Sequence, residues 1–288
     1  MVMTSTRLIF ITGKGGTGKS AVTAAMATAR ARRGESVLAI DMASSPGLAA
    51  HLGSRPLTYE PIEVRDGLFA MTIDRAAALD EYLKLQLHVP RGAPTKQIAA
   101  ALSVLAETAP GVREIISIGK PLYETWKGTW DTVVVDASSL GQFQSYMRAP
   151  RTIAQLVPTG AVRRQASTME TTLSDDDVTS VIIVSNPAEL PVNETIESID
   201  VLTTENLCPI PRVVMNRVLD ISGIDASRLD ELPQGAVRDA ASLQIHLEDD
   251  QAIWLDTIDF MASLPYLAGV FTPQEISLQL SDVIGAIV

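Results

Sequence analysis

Short runs of apolar residues that end in polar residues recur along the chain and predict β-strands. Six such runs, and a shorter seventh, lie at residues 7–11, 36–41, 68–73, 131–136, 178–185, 212–216 and 264–267. Segments with the apolar spacing of helices lie between them, for example at residues 20–33, 76–87, 191–202 and 238–261. Strands that alternate with helices are typical of a parallel sheet covered by helices. We therefore predict a doubly wound α/β fold with a mostly parallel sheet of about seven strands.

Two helix-rich regions, at about residues 76–126 and 145–173, are longer than ordinary connections between strands. Proline interrupts the first region at Pro90 and the second at Pro158. We predict that both regions form a helical subdomain added to the sheet, within a single domain that covers residues 1–288. The sequence shows no internal repeat and no low-complexity tract, which argues against a solenoid or a disordered linker.

The composition restricts the class of partner. The 288 residues carry 23 basic and 34 acidic side chains, a net charge of -11 that repels nucleic-acid phosphates. No run approaches the roughly 18 unbroken apolar residues of a membrane-spanning helix. The single cysteine, Cys208, can form neither an internal disulfide nor a cysteine-based zinc site without another chain. We therefore predict a cytoplasmic protein with no nucleic-acid partner and no integral membrane segment.

The most specific motif, GKGGTGKS at residues 13–20, fits the phosphate-loop pattern G-x-x-x-x-G-K-[ST] between a predicted strand and a predicted helix. Its glycines allow backbone N–H groups to converge on phosphate oxygens at the positive end of the helix. Lys19 would bridge the β- and γ-phosphates of ATP, and Ser20 would ligate Mg²⁺, the one metal predicted. The predicted nucleotide-binding residues of this motif are Gly13, Gly15, Gly16, Thr17, Gly18, Lys19, Ser20 and Ala21. The alternative is a simple glycine-rich turn.

An aspartate ends the apolar run at residues 132–136. In open α/β sheets, ligands bind at the carboxyl ends of the strands. Asp136 is therefore the expected Mg²⁺ partner, through a water molecule. The alternative is a cap for the following loop or helix.

A second lysine, Lys14, directly follows Gly13 and produces the form K-G-G-T-G-K-S. This form resembles the deviant phosphate loop of the SIMIBI class of nucleotide-binding proteins. The resemblance implies that Lys14 has a catalytic role, crossing a dimer interface to the ATP of the partner. A cation delivered by a second subunit would make hydrolysis depend on closure of the dimer. The alternative is a solvated side chain.

Two later segments, SNPAELPVNET at residues 185–195 and IPRVVMNRV at 210–218, resemble the ArsA and Get-type ATPases. Members of that family read P-E-x-L-P-V-x-E-T and V-V-N-R-V in these places. The resemblance covers nearly the whole chain and implies that Asn216 contacts adenine, for which a side-chain amide is suited. It also places Pro265 in the adenine loop. A strand-ending turn residue is the alternative for Asn216.

The chain departs from the family pattern after the second predicted strand. The family reads D-P-A-H there, with the aspartate positioning the attacking water, and Ala43 occupies the place of that aspartate. Asp41 lies two positions earlier and is a candidate catalytic residue near Mg²⁺, or a cap for the next segment. The family's D-T-A-P-T-G-H-T becomes DASSLGQF at 136–143, which retains Gly141, where a backbone N–H could approach the γ-phosphate.

The resemblance and its departures imply an ATP-binding, dimerising ATPase that acts as a nucleotide-driven switch. We predict a dimer with itself or with a second ArsA-like subunit, as in the paired ArsA-like subunits of some actinobacteria. Hydrolysis would be weak or dependent on the partner, because loss of a water-positioning group costs orders of magnitude in rate. The alternatives are a non-catalytic nucleotide-binding subunit and a targeting factor for tail-anchored membrane proteins. A ParA- or MinD-like positioning ATPase is disfavoured because no basic surface stretch is present.

A membrane-protein client would require an apolar groove in the two helical regions. Their apolar residues at helical spacing more often belong to a core. The candidates are Leu79, Leu83, Leu87, Ile98, Leu102, Leu105, Ile115, Ile116, Ile118, Met147 and Met169.

Overall fold

A computed structural model describes residues 6–43, 46–86, 111–219 and 226–286. Its strands are β1 (Arg7–Gly13), β2 (Val37–Asp41), β3 (Ile62–Arg65), β4 (Leu68–Thr72), β5 (Thr132–Ser139), β6 (Thr179–Ser185), β7 (Arg212–Val218) and β8 (Ala262–Pro265). Within these residues the strands form one eight-stranded sheet in the order β3-β4-β2-β5-β1-β6-β7-β8. All neighbouring strands are parallel except β3 and β4. The predicted mostly parallel α/β fold is confirmed.

The strand that the sequence did not predict is β3, so the expected number of strands was one too low. The β3 segment, I-E-V-R, alternates apolar and charged residues and is only partly buried. It lies at the edge of the sheet and pairs antiparallel with β4 alone. A short, half-exposed edge strand lacks the continuous apolar run that identified the buried parallel strands.

The helices alternate with the strands as predicted. They are α1 (Lys19–Arg32), α2 (Gly47–Leu52), α3 (Arg75–Gln86), α4 (Val112–Lys127), α5 (Leu140–Leu156), α6 (Ala161–Ser174), α7 (Glu189–Thr204), α8 (Ala236–Leu255) and α9 (Pro273–Gly285), with a 3₁₀ helix at Ala226–Glu231. The helix predicted at residues 238–261 ends earlier, at Leu255. The reason is that the chain must reach the sheet, where the N–H of Met261 donates to the carbonyl of Val213 at 2.8 Å.

Helices cover both faces of the sheet. Successive β1 residues alternate between two cores, because Leu8 packs in one and Ile9 in the other. Helix α1 packs against the second face and is in contact with α9, which belongs to the same core. Its small buried residues, among them Ala24 and Ala25, let the helix lie close to the sheet and so fix the loop that precedes it.

The described apolar residues of the two helical regions are mostly core. Ile118 of α4, Met147 of α5 and Met169 of α6 are buried in the cluster that covers the first face of the sheet. The candidates Leu87, Ile98, Leu102 and Leu105 lie outside the described residues. Among the helices that the structure describes, none is both long and apolar enough to cross a membrane.

Candidate nucleotide-binding site

The phosphate-loop segment turns sharply between β1 and α1, and its glycines have backbone angles that other residues rarely adopt. Gly16 has φ of 87° and Gly18 has φ of 97°. A Cβ on Gly13 would overlap the carbonyl oxygen of Val184 on β6. The predicted strand–loop–helix context of the motif is therefore present, and it requires glycine at these positions.

The loop is closed by contacts to one carbonyl oxygen. The Lys14 carbonyl accepts from the Thr17 hydroxyl at 2.9 Å, from the Thr17 N–H at 3.4 Å and from the Lys19 ammonium at 3.3 Å. Gly18 precedes α1, whose first turn has no side-chain cap and no acidic residue. The first N–H groups of α1 therefore keep a positive end that can attract an anion.

Three side chains from two elements meet beside this helix end. The Ser20 hydroxyl donates to Asp136 Oδ2 at 2.5 Å, and the Thr23 hydroxyl donates to Oδ1 at 3.5 Å. Burial lowers the pKa of Lys19, while the charge of Asp136 acts in the opposite direction. The structure thus places Lys19, Ser20 and Asp136 together, as the sequence predicted.

Asp136 is an unusual carboxyl group because it is only 2% exposed. Burial raises its pKa to about 6, and the nearby charge of Asp41 adds to the increase, while the contacts with Ser20 and Lys19 oppose it. Because these contacts offset only part of the cost of burying the charge, the carboxylate favours a cation beside it. Its oxygens and the Ser20 hydroxyl are hard ligands of the kind that Mg²⁺ prefers, so these residues fit that ion.

Asp41 lies directly opposite Asp136 in the pairing of β2 with β5, and it is 2% exposed. Its Oδ1 accepts from the N–H of Ala43 at 3.0 Å, and its Oδ2 accepts from the Thr72 hydroxyl at 3.4 Å. The bond to Ala43 matches the capping alternative for Asp41. A role near Mg²⁺ stays a prediction.

A cavity of about 230 Å³ opens next to Lys19, Ser20 and Asp136. Its other lining residues are Met42, Ala43, Ile73, Arg75, Ser117, Ala137, Ser138, Ser139, Gln142 and Tyr146. Sequence reasoning missed Arg75 and Gln142. Arg75 follows a predicted strand closely, which is the same signal that identified Asp136. Gln142 has no such signal; it lies in the first turn of α5, where its amide donates to the Tyr146 hydroxyl at 3.0 Å.

The predicted base-binding residues lie on the opposite side of β1 from this cavity. Asn216 on β7 is 4% exposed, and its Nδ2 donates to the carbonyl of Thr17 at 2.8 Å. Pro265 ends β8 and pairs with Val218, two residues beyond Asn216. Asn216 therefore braces the phosphate loop, and the contacts of Asn216 and Pro265 with adenine stay predictions. Gly141 lies exposed in the first turn of α5, beside Gln142.

Lys14 forms an ion pair within its own chain, with the Glu194 carboxylate of α7. The side chain of Lys14 is 30% exposed and that of Glu194 is 42% exposed. The lysine is therefore at the surface, within reach of solvent. Its predicted contact with a partner subunit requires the pair with Glu194 to open.

Comparison with known proteins identifies the family. A family model for anion-transporting ATPases, the ArsA ATPase model, matches residues 6–165, which is more than half of the chain. The chain belongs to the ArsA ATPase family. Membership confirms the resemblance found in the sequence, and it implies that a P-loop ATPase domain binds nucleotide.

Individual relatives agree with the family. The chain is 30% identical to ATPase BagA of Mycobacterium tuberculosis over 226 residues, which are 75% of this chain and 66% of that protein. It is 26% identical to ATPase get3 of Schizosaccharomyces japonicus and 27% identical to ATPase ASNA1 homolog 2 of Paramecium tetraurelia. Each of the last two matches covers 51% of this chain and 45% of the relative. The chain thus aligns with just under two thirds of the mycobacterial relative and about half of the others.

Within this ArsA-family site, Gly18→Ala should destabilise the protein, whereas Gly15→Ala should not. A Cβ at position 18 would overlap the Asn216 amide and force alanine into φ of 97°, while a Cβ at position 15 meets nothing within 4 Å. We expect Gly18→Ala to lower the free energy of unfolding by about 1–3 kcal/mol, and Gly15→Ala to change it by less than about 0.5 kcal/mol. Urea unfolding without nucleotide measures both. A loss of stability for Gly18→Ala as small as that expected for Gly15→Ala would show that the loop does not require glycine at position 18.

Proposed function

We propose that this ArsA-family protein is an ATP-binding, dimerising switch whose hydrolysis is weak or dependent on a partner subunit. The observation that carries the proposal is the meeting of Lys19, Ser20 and Asp136 at an uncapped helix end beside the cavity. A positive helix end, an ammonium group and paired oxygen ligands together suit a triphosphate with Mg²⁺.

Each residue has a separate role in this proposal. Backbone N–H groups of residues 13–21 hold the phosphates, and Lys19 bridges the β- and γ-phosphates. Ser20 would ligate Mg²⁺ directly and Asp136 would hold it through water, and the ion would neutralise part of the phosphate charge. Asn216 and Pro265 flank the adenine, and the N–H of Gly141 approaches the γ-phosphate.

The weakness of hydrolysis follows from Ala43, which lines the cavity but offers no group that could orient water. Asp41 is no direct substitute, because its carboxylate is buried and bonded to the N–H of Ala43 and the Thr72 hydroxyl. Loss of a water-positioning group lowers turnover by orders of magnitude and leaves phosphate binding intact. We therefore infer that ATP binding, more than turnover, changes the state of the isolated chain.

In this proposal, Lys14 makes the contact that joins two subunits. To reach the nucleotide of another subunit, the lysine must leave Glu194, and exposed ion pairs of this kind contribute only about 0–1 kcal/mol. The more highly charged phosphates of a partner's ATP would readily replace the single carboxylate of Glu194. The pair would thus hold Lys14 at the surface until a nucleotide-loaded partner arrives.

The test is the mass of the native protein with Mg²⁺ and a slowly hydrolysed ATP analogue. We expect the mass to double for the chain alone, or a one-to-one complex to form with a second ArsA-like chain. Lys14→Ala should retain nucleotide affinity within about threefold but lose the association, because its contact is made only across the interface. A mass that nucleotide never changes, in either mixture, would contradict the switch.

A second candidate function is a non-catalytic nucleotide-binding subunit, which the position of Ala43 in the cavity favours. Turnover separates the two. If the chain hydrolyses no ATP, either alone or with a second ArsA-like chain whose own site is inactivated, the result supports the non-catalytic subunit.

A targeting role for membrane proteins gains no support from Ile118, Met147 and Met169, which are buried in the core. The single-domain organisation, with helical elements at about 76–126 and 145–173, and the cytoplasmic location stay predictions.

A further inference from the structure

One basic side chain of the cavity has no role in the proposal above. Arg75 is the first residue of α3, which begins just beyond β4. The preceding residue, Asp74, fixes this start, since its Oδ1 accepts from the N–H of Ala77 at 2.8 Å. Arg75 therefore lies at the carboxyl edge of the sheet, where it lines the same cavity as Lys19 and Asp136.

Unlike several arginines of this chain, Arg75 makes no ion pair with any residue that the structure describes. Arg30 pairs with Glu35, Arg148 with Glu205 and Arg151 with Glu170. Across residues 6–43, 46–86, 111–219 and 226–286, no carboxylate lies within ion-pair distance of Arg75. An unpaired guanidinium beside a cavity is available to a phosphate, which its planar donors can hold through two hydrogen bonds.

The order of the strands determines which phosphate Arg75 could meet. The predicted adenine residues Asn216 and Pro265 lie on β7 and β8, on one side of β1, whereas β5, β2 and β4 lie on the other. A nucleotide held by the loop after β1 would therefore extend from the β8 side towards the β4 side. Its terminal phosphate would be the part nearest to the cavity and to Arg75.

We propose that Arg75 binds the terminal phosphate of the nucleoside triphosphate and thereby makes the site distinguish ATP from ADP. This inference rests on the proposed function, because it takes ATP as the ligand of the phosphate loop. ADP lacks the phosphate that Arg75 would contact, so the residue adds affinity for the triphosphate alone. Discrimination in this form does not require the chain to hydrolyse ATP.

The test compares the affinities of the full chain for ADP and for a slowly hydrolysed ATP analogue, both with Mg²⁺, by calorimetry. We expect Arg75→Ala to lower the affinity for the ATP analogue by about 10- to 100-fold and to change the affinity for ADP by less than about twofold. Arg75→Gln, which keeps much of the side-chain length without the charge, should behave in the same way. Arg113→Ala is the matched control, because Arg113 is exposed in the first turn of α4 and lies outside the cavity.

The outcomes separate this inference from the proposed function. Equal weakening of both nucleotides, or no change in either, would overturn the role of Arg75 while nucleotide binding stands. An effect of Arg113→Ala as large as that of Arg75→Ala would reduce the result to general electrostatics and also overturn it. If the unaltered chain binds neither nucleotide, the proposed function fails first. Thermal unfolding of each variant confirms that it is folded, as the exposure of Arg75 leads us to expect.

Discussion

Lys19→Ala is expected to weaken the binding of Mg²⁺-ATP by about 100-fold or more, since two lost charge-assisted hydrogen bonds contribute roughly 3 kcal/mol or more. The Lys19 ammonium lies at the cavity, 3.3 Å from the Lys14 carbonyl, close to the uncapped end of α1. Burial lowers its pKa because the charged form loses solvation, and a polyphosphate would supply the compensating negative charge. The affinity is measured by calorimetry at pH 7.5.

The matched control for this prediction is Lys127→Ala. Lys127 ends α4 with its side chain 49% exposed, so its removal changes the net charge equally without touching the cavity. We expect Lys127→Ala to leave the affinity unchanged within about twofold, because exposed charges at a distance are screened by salt. Retained ATP binding by Lys19→Ala would mean that the phosphate loop is not the nucleotide site.

The parts of the fold that the sequence predicts best are those with local signals. Buried parallel strands such as β5 and β6 appear as continuous apolar runs, and the glycine pattern of the phosphate loop is contiguous. Asp136 was identified because strand ends in a parallel sheet converge on one edge. The edge strand β3 was missed because it has one neighbour and half-exposed residues.

Other features of the site depend on contacts between residues that are distant in the sequence. Glu194 meets Lys14 across 180 positions, and Asn216 meets Thr17 across 199. The cavity residues Arg75 and Gln142 approach Lys19 only through the order of β4, β2, β5 and β1 in the sheet. Spacing along one chain does not encode such contacts, so the full lining of the site required the three-dimensional structure.

Asp136→Asn is expected to stabilise the protein in the absence of Mg²⁺ and nucleotide, and to do so more strongly as the pH rises. In the folded protein, burial and the neighbouring Asp41 raise the pKa of Asp136 to about 6, from an ordinary value of 3.8. The folded state therefore binds this proton more tightly than the unfolded state does. The contribution of the protonated carboxyl group to the free energy of unfolding is fully present below about pH 4, and it is lost as the pH rises through about 6.

The expected size follows from the difference between the two pKa values. A difference of about two units corresponds to roughly 3 kcal/mol of lost stability for this buried carboxylate at pH 8. Asparagine avoids the loss, because it carries no charge and its side-chain oxygen can still accept from the Ser20 hydroxyl. We therefore expect Asp136→Asn to exceed the native protein in stability by about 3 kcal/mol at pH 8, and by about half as much at pH 5.

Urea unfolding in EDTA across this pH range measures the effect. Asp249→Asn is the control, because Asp249 is exposed on α8 and its removal changes the net charge equally. Adding Mg²⁺-ATP should reverse the order of stability, since the native carboxylate gains a cation and the asparagine variant does not. If the stability difference between Asp136→Asn and the native protein does not depend on pH, ionisation of Asp136 does not destabilise the folded protein, which contradicts the prediction.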